Sequence, residues 1–365
     1  ANRESYTRLL LGAQYVLLRR EFLKWRDWQR PIPQTARRAL VTLGGSDFEN
    51  VTRKIMEGWP GSEALPLETT LVIGPGNPHR AALEAAARAH PAMRVVCAPP
   101  NLPELMAEAD LGVTAGGITA WEMAFMGLPQ LTIILAENQR ANAGRIQAEG
   151  AGRSLGWHEH LTGDQLRERV TELGGDFDGR SGMSRQGRLL VDGYGAARVW
   201  FHLNESRLAL RPARPEDCRQ VWEWANDPEV RAASFTQARI PWTDHVKWFE
   251  RKLTDARCRL FMAADSAGEP VGQVRFDLDE ANTAVISISL DHQSRGRGYG
   301  GLLIWSACRK LFAETAVERI YAWIKLENRA SIAAFQRAGF VTMGSEQKEG
   351  SAAGKFLLAR PTDAA

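Results

Sequence analysis

From Ala39 to about Leu203 the chain alternates short apolar runs with stretches of helical periodicity. Ala39-Leu40-Val41-Thr42-Leu43 stops at Gly44-Gly45, Thr70-Leu71-Val72-Ile73 at Gly74-Pro75-Gly76, and Arg94-Val95-Val96-Cys97 at Pro99-Pro100. Leu111-Gly112-Val113-Thr114 stops at Gly116-Gly117, and Leu131-Thr132-Ile133-Ile134-Leu135 at Glu137-Asn138. Short runs of this kind, bounded by turn residues, read as buried strands. The Ala-rich stretch Pro78 to His90 and the segment Leu102 to Ala109 read as helices between them. Alternating strands and helices predict βαβ units, a parallel sheet and a Rossmann-like α/β domain. Such sheets bind ligands outside the carboxyl ends of their strands, where the Gly-Gly turns fall. The Gly-, Asp- and Arg-rich stretch from Gly174 predicts a loop, and the apolar pattern from Gln186 to Leu203 a closing helix.

Beyond Asn204-Glu205-Ser206 the pattern changes. Leu208 to Arg211 reads as a strand and Pro215 to Trp224 as a helix. Arg259 to Ala263 and Pro270 to Phe276 predict a hairpin about Asp265-Ser266-Ala267-Gly268. Ala284 to Leu290 reads as a strand and Gly300 to Phe312 as a helix. This order predicts an antiparallel-rich α+β domain. The expected organisation is a remnant or helical segment over 1–38, a first domain over 39–204 and a second over 205–365.

Composition narrows the classes of function. The 365 residues carry 46 Lys+Arg against 43 Asp+Glu. Divided at residue 204, the balance is 23 basic against 22 acidic residues, then 23 against 21. Neither part has the charge of a nucleic-acid binder. No apolar run is long enough to span a membrane, and Cys97, Cys218, Cys258 and Cys308 are too scattered for a zinc site or disulfide framework. A cytoplasmic protein without a metal is expected. The start at Ala1-Asn2-Arg3-Glu4, with neither an initiator Met nor a signal peptide, suggests a chain that begins partway through a longer protein.

The most specific local signal is Arg295-Gly296-Arg297-Gly298-Tyr299-Gly300, between the strand ending at Leu290 and the helix beginning Gly301-Leu302-Leu303. A Gly-rich turn at a helix start presents backbone N–H groups to an anion such as a pyrophosphate. A second segment follows: the strand Tyr321-Ala322-Trp323-Ile324, then Asn328-Arg329-Ala330-Ser331, a helix, and Gly339-Phe340. Together these resemble the GNAT superfamily of acetyl-CoA-dependent N-acetyltransferases, over about Leu208 to Ala359. The resemblance implies acetyl-CoA as cofactor and two splayed strands that admit its pantetheine arm. It implies that residues 295–300 hold the pyrophosphate, that the backbone N–H near Leu290 polarises the thioester carbonyl, that Asn328 and Ser331 line the far side of the cofactor, and that Phe335 also borders the cofactor. Many members place a proton-donating Tyr where this chain has Phe335, and a Glu base where it has Ser287 and Ser289. Proximity and orientation, with deprotonation relayed by water, are therefore the expected means of catalysis. The arrangement Asn226-Asp227-Pro228-Glu229-Val230-Arg231, followed by His245-Val246-Lys247-Trp248-Phe249, resembles acetyltransferases acting on amino sugars carried by nucleotides. Asn226, Arg231 and His245 are the candidate sugar-nucleotide contacts, and His245 is also a catalytic candidate. For His245 a solvated position on an amphipathic helix is the competing reading, and Trp224 and Trp248 read as core.

In the first half, Thr114-Ala115-Gly116-Gly117-Ile118-Thr119-Ala120-Trp121-Glu122 leads from a strand end into a helix. Backbone N–H groups at such a turn suit a diphosphate, and a carboxylate one turn on can accept from ribose hydroxyls. With Gly44-Gly45-Ser46-Asp47 and Ala136-Glu137-Asn138-Gln139, these segments resemble the C-terminal half of UDP-binding GT-B enzymes. They are most similar to the UDP-2,4-diacetamido-2,4,6-trideoxy-β-L-altropyranose hydrolases of pseudaminic acid biosynthesis. Leu10 to Arg19 resembles the interdomain segment of that family, and Val191-Asp192-Gly193-x-Gly195-Ala196 its closing helix. The resemblance implies that Gly45, Ser46, Gly116, Gly117, Thr119 and Glu122 hold UDP, that Asn138 and Gln139 face the sugar, and that Pro99 to Met106 cup the uracil. Ile118 replaces a small polar residue common after the Gly pair. The family's catalytic His lies in a Gly-His motif of an N-terminal domain. His79, His90, His158, His160 and His202 do not sit in such a motif, so the hydrolase half is expected to be incomplete in this chain.

As a fusion, the two resemblances imply consecutive steps: acetylation of the 4-amino group of a UDP-linked 2-acetamido-4-amino-trideoxy sugar, then cleavage of the product from UDP. This gives pseudaminic acid biosynthesis and flagellin glycosylation as the expected setting, with the missing hydrolase domain as a partner. The alternatives are a UDP-sugar module that only docks substrate, and an acetyltransferase for proteins or small amines.

Overall fold

The computed structural model describes residues 7–61 and 65–361, so the reading of Ala1-Asn2-Arg3-Glu4 lies outside the described residues. Backbone contacts divide the chain into two units, Ala1–Ala196 and Ala197–Ala365.

The first unit runs β1 (Arg38–Thr42), α1 (Val51–Gly58), β2 (Glu68–Ile73), α2 (Arg80–Ala87), β3 (Met93–Cys97), α3 (Leu102–Glu108), β4 (Leu111–Ala115), α4 (Ile118–Phe125), β5 (Gln130–Ile134), α5 (Arg140–Ala148) and β6 (Arg153–Trp157). The strands form one parallel sheet in the order β3-β2-β1-β4-β5-β6. This is the Rossmann order, in which the direction of winding reverses between β1 and β4. All five expected strands are present, and β6 is an addition. Its sequence Arg-Ser-Leu-Gly-Trp has no apolar run because every residue is only half-buried. Alternate strand residues serve opposite layers: Ala39, Val41 and Leu43 join one apolar cluster and Leu40 the other. The segment before β1 contains, among its described residues, only short 3-10 turns at Ala13–Tyr15 and Arg20–Trp25. It is held by buried Phe22 and by the Arg30 guanidinium, which donates to the carbonyls of Met106, Ala109 and Met126.

After α6 (Gly163–Gly175) the structure corrects one expectation. The Gly-, Asp- and Arg-rich stretch is a 14-residue helix, α7 (Phe177–Leu190), capped by Asp176, which accepts from Gly179 N–H at 2.8 Å. Its buried face is mixed, with Arg180, Ser184 and Gly187 beside a single buried apolar side chain, Met183. A Cβ on Gly187 would lie 2.7 Å from the Ala124 carbonyl, so glycine lets α7 lie directly on α4. Buried Arg180 donates to the carbonyls of Leu173 and Gln34. The chain breaks at Val191 to Tyr194 before α8 (Gly195–Leu203). The sequence reading closes the first domain at residue 204, whereas Ala197 and Phe201 of α8 already pack in the core of the second unit.

The second unit continues with β7 (Leu208–Pro212), α9 (Cys218–Ala225), α10 (Pro228–Ala233), α11 (Trp242–Thr254), β8 (Cys258–Asp265), β9 (Pro270–Leu278), β10 (Thr283–Leu290), α12 (Tyr299–Glu314), β11 (Arg319–Lys325), α13 (Arg329–Arg337), β12 (Val341–Lys348) and β13 (Ser351–Ala359). The seven strands lie in the order β12-β13-β11-β10-β9-β8-β7. All neighbours are antiparallel except β10 and β11, as the antiparallel-rich reading requires. One face carries the main core, with Val274, Phe276 and Ile286 packed with Leu302, Leu303 and Phe312 of α12 and Phe335 of α13. The opposite face is covered over β8 by α9 and α11, through Val221, Trp224 and Phe249 against Leu260 and Met262. Among the described residues of either unit, no helix is long and apolar enough to cross a membrane.

Candidate functional site

Strand β10 pairs with β9 along its whole length, from Ala284↔Leu278 to Leu290↔Gly272. Its parallel pairing with β11 stops at Val285↔Tyr321 after three residue pairs, while β11 stays paired to β13 as far as Lys325. The two strands therefore diverge, leaving an opening between Ile286–Leu290 and Ala322–Lys325. Backbone groups alternate in direction along a strand. The Asp291 N–H reaches the Val271 carbonyl and the Thr283 carbonyl accepts from Asp279 N–H, so odd-numbered residues point to β9. The N–H groups of Ile286, Ile288 and Leu290 consequently face the opening.

The loop after β10 leads to its mouth. Gly296 and Gly298 have φ of +72° and +87°, left-handed values that side chains rarely adopt. They turn the chain so that the 16-residue helix α12 starts at Tyr299 beside the end of β10. A Cβ on Gly300 would lie 3.4 Å from Leu290 Cδ1 and 3.9 Å from Ala334 Cβ, which places Gly300 between the end of β10 and α13. Across the opening, Asn328 caps α13, its side chain accepting from Ser331 N–H at 3.0 Å. The structure thus gathers Leu290, Gly296, Gly298, Gly300, Asn328 and Ser331 around one opening, with Arg297 exposed beside it and Tyr299 buried below.

Arg295 and Phe335, also expected at the cofactor, have other occupations. The Arg295 guanidinium is bound to Asp227 and Glu229, each at 2.8 Å, and to the Leu290 carbonyl at 3.2 Å. It braces the loop against α10, and the backbone of the loop is left to face an anion. Burial alone would raise the Asp227 carboxyl, but Arg295 and the N–H groups of Val230 and Glu229 hold it below the usual aspartate range. Phe335 is buried, with its ring 4.9 Å from that of Phe340 in an edge-on pair, so it serves the core rather than the opening.

The acceptor candidates are also placed in structural work. His245 is 2% exposed, its Nε2 3.1 Å from the Cys218 carbonyl and its ring stacked on Phe249. Burial lowers its pKa, against the opposing effect of that carbonyl. The neutral ring donating through Nε2 fits this environment. The sequence pattern puts His245 on a helix, but the apolar side of that helix faces β8, and the ring goes with it. Asn226 clamps the loop before α11, accepting from Ile240 N–H at 2.7 Å and donating to the carbonyls of Trp222 and Ile240. Arg231 donates to Thr236 O and Ser234 Oγ. These three residues hold the α10–α11 region in shape.

In the first unit, the two Gly-Gly turns end the adjacent strands β1 and β4, at the point where the strand order reverses. Gly45 and Gly117 have open space where a Cβ would stand. Gly117 precedes the first residue of α4, whose N–H groups point toward the crevice. Gly116 is pinned beneath Gln139 and Ala143. Gln139 is partly committed, its Oε1 accepting from Leu135 N–H at 3.0 Å, while Asn138 and Ser46 are exposed and Thr119 half-buried. Asp47 caps α1 by accepting from Val51 and Thr52 N–H, at 2.8 and 2.7 Å.

Glu122 departs from its expected place. It is completely buried, and both carboxylate oxygens accept from Arg19, from Nε at 2.7 Å and from the terminal nitrogen at 3.0 Å. Burial raises its pKa and Arg19 opposes that rise. A buried carboxylate needs a paired cation, and the segment before β1 supplies one, so Glu122 is not open to a ribose. Sequence reasoning passed over Arg19. Its signal is indirect: a Glu amid Ala120, Trp121, Met123 and Ala124 has to find a cation. Also passed over was the contact of Lys348 and Lys355 with Trp323, whose ring centre lies 4.4 and 5.3 Å from the two Nζ atoms. The alternation Tyr321-Ala322-Trp323-Ile324 is the signal that would have turned attention to the other face of β11.

Residues 39–180 match the family model of the glycosyltransferase family 28 C-terminal domain, and residues 207–341 that of the acetyltransferase (GNAT) domain. The spore coat polysaccharide biosynthesis protein SpsG of Bacillus subtilis is 28% identical over 200 residues, covering 54% of this chain and 58% of that protein. An uncharacterised protein of Methanocaldococcus jannaschii is 21% identical over 357 residues, covering 92% of this chain and 69% of that protein. The chain thus spans little more than half the length of SpsG. Among solved structures, the spermidine N-acetyltransferase of Vibrio cholerae with CoA and spermine has a TM-score of 0.40 at 18% identity, covering 42% of this chain and 96% of the other. The aminoglycoside acetyltransferase AAC(6')-Ib with ribostamycin and coenzyme A has a TM-score of 0.39 at 19% identity, covering 42% and 94%. One chain therefore joins a Rossmann-like parallel-sheet domain that matches the glycosyltransferase family 28 C-terminal model to a mixed-sheet domain that matches the acetyltransferase (GNAT) model.

Proposed function

We propose that the second unit transfers the acetyl group of acetyl-CoA to the 4-amino group of a UDP-linked 2-acetamido-4-amino-trideoxy sugar. On this reading the first unit is the UDP-binding half of the hydrolase for the next step of pseudaminic acid biosynthesis. The divergence of β10 from β11 carries the acetyltransferase part of the reading. It supplies a slot whose wall presents N–H groups, next to a helix start reached through two left-handed glycines. That combination suits a long thioester with an anionic diphosphate, and the match to the GNAT model supports it. Acetyl-CoA supplies the activated acetyl group. The loop 295–300 holds its diphosphate through backbone N–H groups, and the Leu290 N–H faces the developing oxyanion. Ser287 and Ser289, on the opposite face of β10, give a polar path along which water can carry the proton away from the amine. Phe335 donates no proton, so the leaving thiolate draws its proton from solvent.

For the first unit, the Gly-Gly turns at the β1/β4 reversal favour a diphosphate at the start of α4. The similarity to SpsG, a spore coat polysaccharide biosynthesis protein, supports a sugar nucleotide. The hydrolase reaction further requires the catalytic N-terminal domain expected of that family as a partner. The test is to offer the UDP-linked 4-amino sugar, a peptide amine and spermidine with acetyl-CoA and to follow CoA release. Turnover of the sugar nucleotide at the highest kcat/KM supports the reading, and preference for the peptide or the polyamine overturns it.

A further inference from the structure

The sheet face opposite α12 and α13 is the side from which an amine can reach the opening while the helix start occupies the other. Register puts Ser287 and Ser289 of β10, Tyr321 and Trp323 of β11, and Lys355 of β13 on that face. Over β8 it is sealed by α9 and α11, but from β10 to β12 it carries half-buried serine, aromatic and lysine side chains together with the exposed Glu346. Lys355 Nζ stands 4.9 Å from the Tyr321 ring centre and 5.3 Å from that of Trp323. Lys348 Nζ lies 4.4 Å from the Trp323 ring centre and 5.3 Å from that of Phe235, which comes from the loop after α10. Trp323 Nε1 is hydrogen-bonded to Glu346, which fixes the indole. Among the described residues neither lysine lies within ion-pair distance of a carboxylate, unlike Lys252 and Lys310, whose partners Asp277 and Glu314 stand at 2.6 Å. Two ammonium groups are thus held over rings beside the slot without a direct ion pair, while the nearby carboxylates Glu346 and Glu349 are hydrogen-bonded to Trp323 and Thr236.

We propose that Lys348 and Lys355, over Tyr321 and Trp323, form the acceptor subsite, and that it selects amines carrying a phosphate or diphosphate. This rests on reading the second unit as an amine acetyltransferase. The lysines are point charges for phosphate oxygens, and the fixed rings offer a flat surface to a sugar or base. A polyamine would meet like charge there. The subsite also gives the acceptor contacts that His245, Asn226 and Arg231, committed to the fold, do not offer.

Glucosamine and glucosamine 6-phosphate isolate the phosphate, with the UDP-linked 4-amino sugar and spermidine alongside, all assayed with acetyl-CoA on the full chain. The expected result is a preference of at least about tenfold in kcat/KM for the phosphorylated hexosamine, shrinking as salt rises. Lys348→Ala and Lys355→Ala should each raise its KM about tenfold, with kcat and the KM for acetyl-CoA unchanged. The double variant should lose the preference, and Lys355→Arg should restore most of it. An unchanged acetyl-CoA KM shows that the variants are folded. Equal use of both hexosamines, an unmoved KM in the double variant, or no anionic amine that reacts or inhibits better than its uncharged counterpart overturns the subsite. The two proposals fail separately. A UDP-sugar acetylated without dependence on the lysines removes the subsite and leaves the function, whereas lysine-dependent acetylation of other phosphorylated amines without the UDP-sugar does the reverse.

Discussion

At the scale of single residues, two buried ionisable groups show how environment overrules motif. Glu122 has the spacing of a ribose ligand, yet its burial demands a cation, and Arg19 answers with two hydrogen bonds. Arg19→Ala should cost about 3 kcal/mol at pH 8, the usual cost of stranding a buried charge. Burial already raises the Glu122 pKa, so the orphaned carboxyl takes up a proton as pH falls and the loss should shrink by pH 5. Urea unfolding at the two pH values measures this, and an equal loss at both contradicts it. His245 behaves in the opposite sense. Its pKa is lowered in the folded state, so below the unfolded value of about 6.5 only the unfolded chain takes up the proton. Stability is therefore present above that value and declines as pH falls toward the folded one. His245→Phe should flatten the dependence between pH 7.5 and 5.5 while leaving acetyl transfer within about threefold of the parent. A hundredfold loss of kcat in a folded His245→Phe protein would restore the catalytic role that its burial argues against.

At the scale of elements, the legible features were those with a strong local signature. Apolar runs ended by turn residues, glycine pairs in two cases, located the first five strands of the parallel sheet, and the 295–300 loop located the start of α12. The start of α7, before Gln186, was illegible because its buried positions there are Arg180, Met183 and Ser184 and its contact with α4 is made by Gly187 against backbone, which leaves no apolar stripe to read. The divergence of β10 from β11 is likewise a matter of pairing between distant segments, and no periodicity within either strand records it. The fates of Arg295, Asn226 and Arg231 were hidden for a related reason: the sequence lists donors but not the carbonyls and carboxylates that satisfy them. The loop itself yields a test. Gly298 has a φ of +87°, and a Cβ there would meet Trp200 at 3.4 Å. Gly298→Ala should cost about 1 kcal/mol in stability and raise the KM for acetyl-CoA about tenfold while sparing the KM of the acceptor. Steady-state kinetics with each substrate varied in turn decides it, and an unmoved acetyl-CoA KM removes the loop from the diphosphate site.

At the scale of the whole molecule, the two proposed sites belong to different units, and each pairs glycines at a strand end with the start of a helix. Near-neutral charge in both parts of the chain is compatible with this, because a diphosphate is held by a few backbone N–H groups rather than by a basic surface. Assigning one ligand to each unit makes a crossed prediction. A ligand at about 100 times its Kd stabilises the unit that binds it by about 2.7 kcal/mol. Gly117 has open space at its Cβ, and a Cβ on Gly300 would make ordinary contacts with Leu290 and Ala334. Valine at either position should therefore fold while filling the space of the ligand. Gly117→Val should abolish the stabilisation by UDP and keep that by acetyl-CoA, and Gly300→Val should do the reverse, both read by hydrogen exchange resolved to each unit. Loss of both effects in one variant would mean that the substitution unfolds its unit or that the ligands share a site. Loss of neither would place both diphosphates away from these glycine turns.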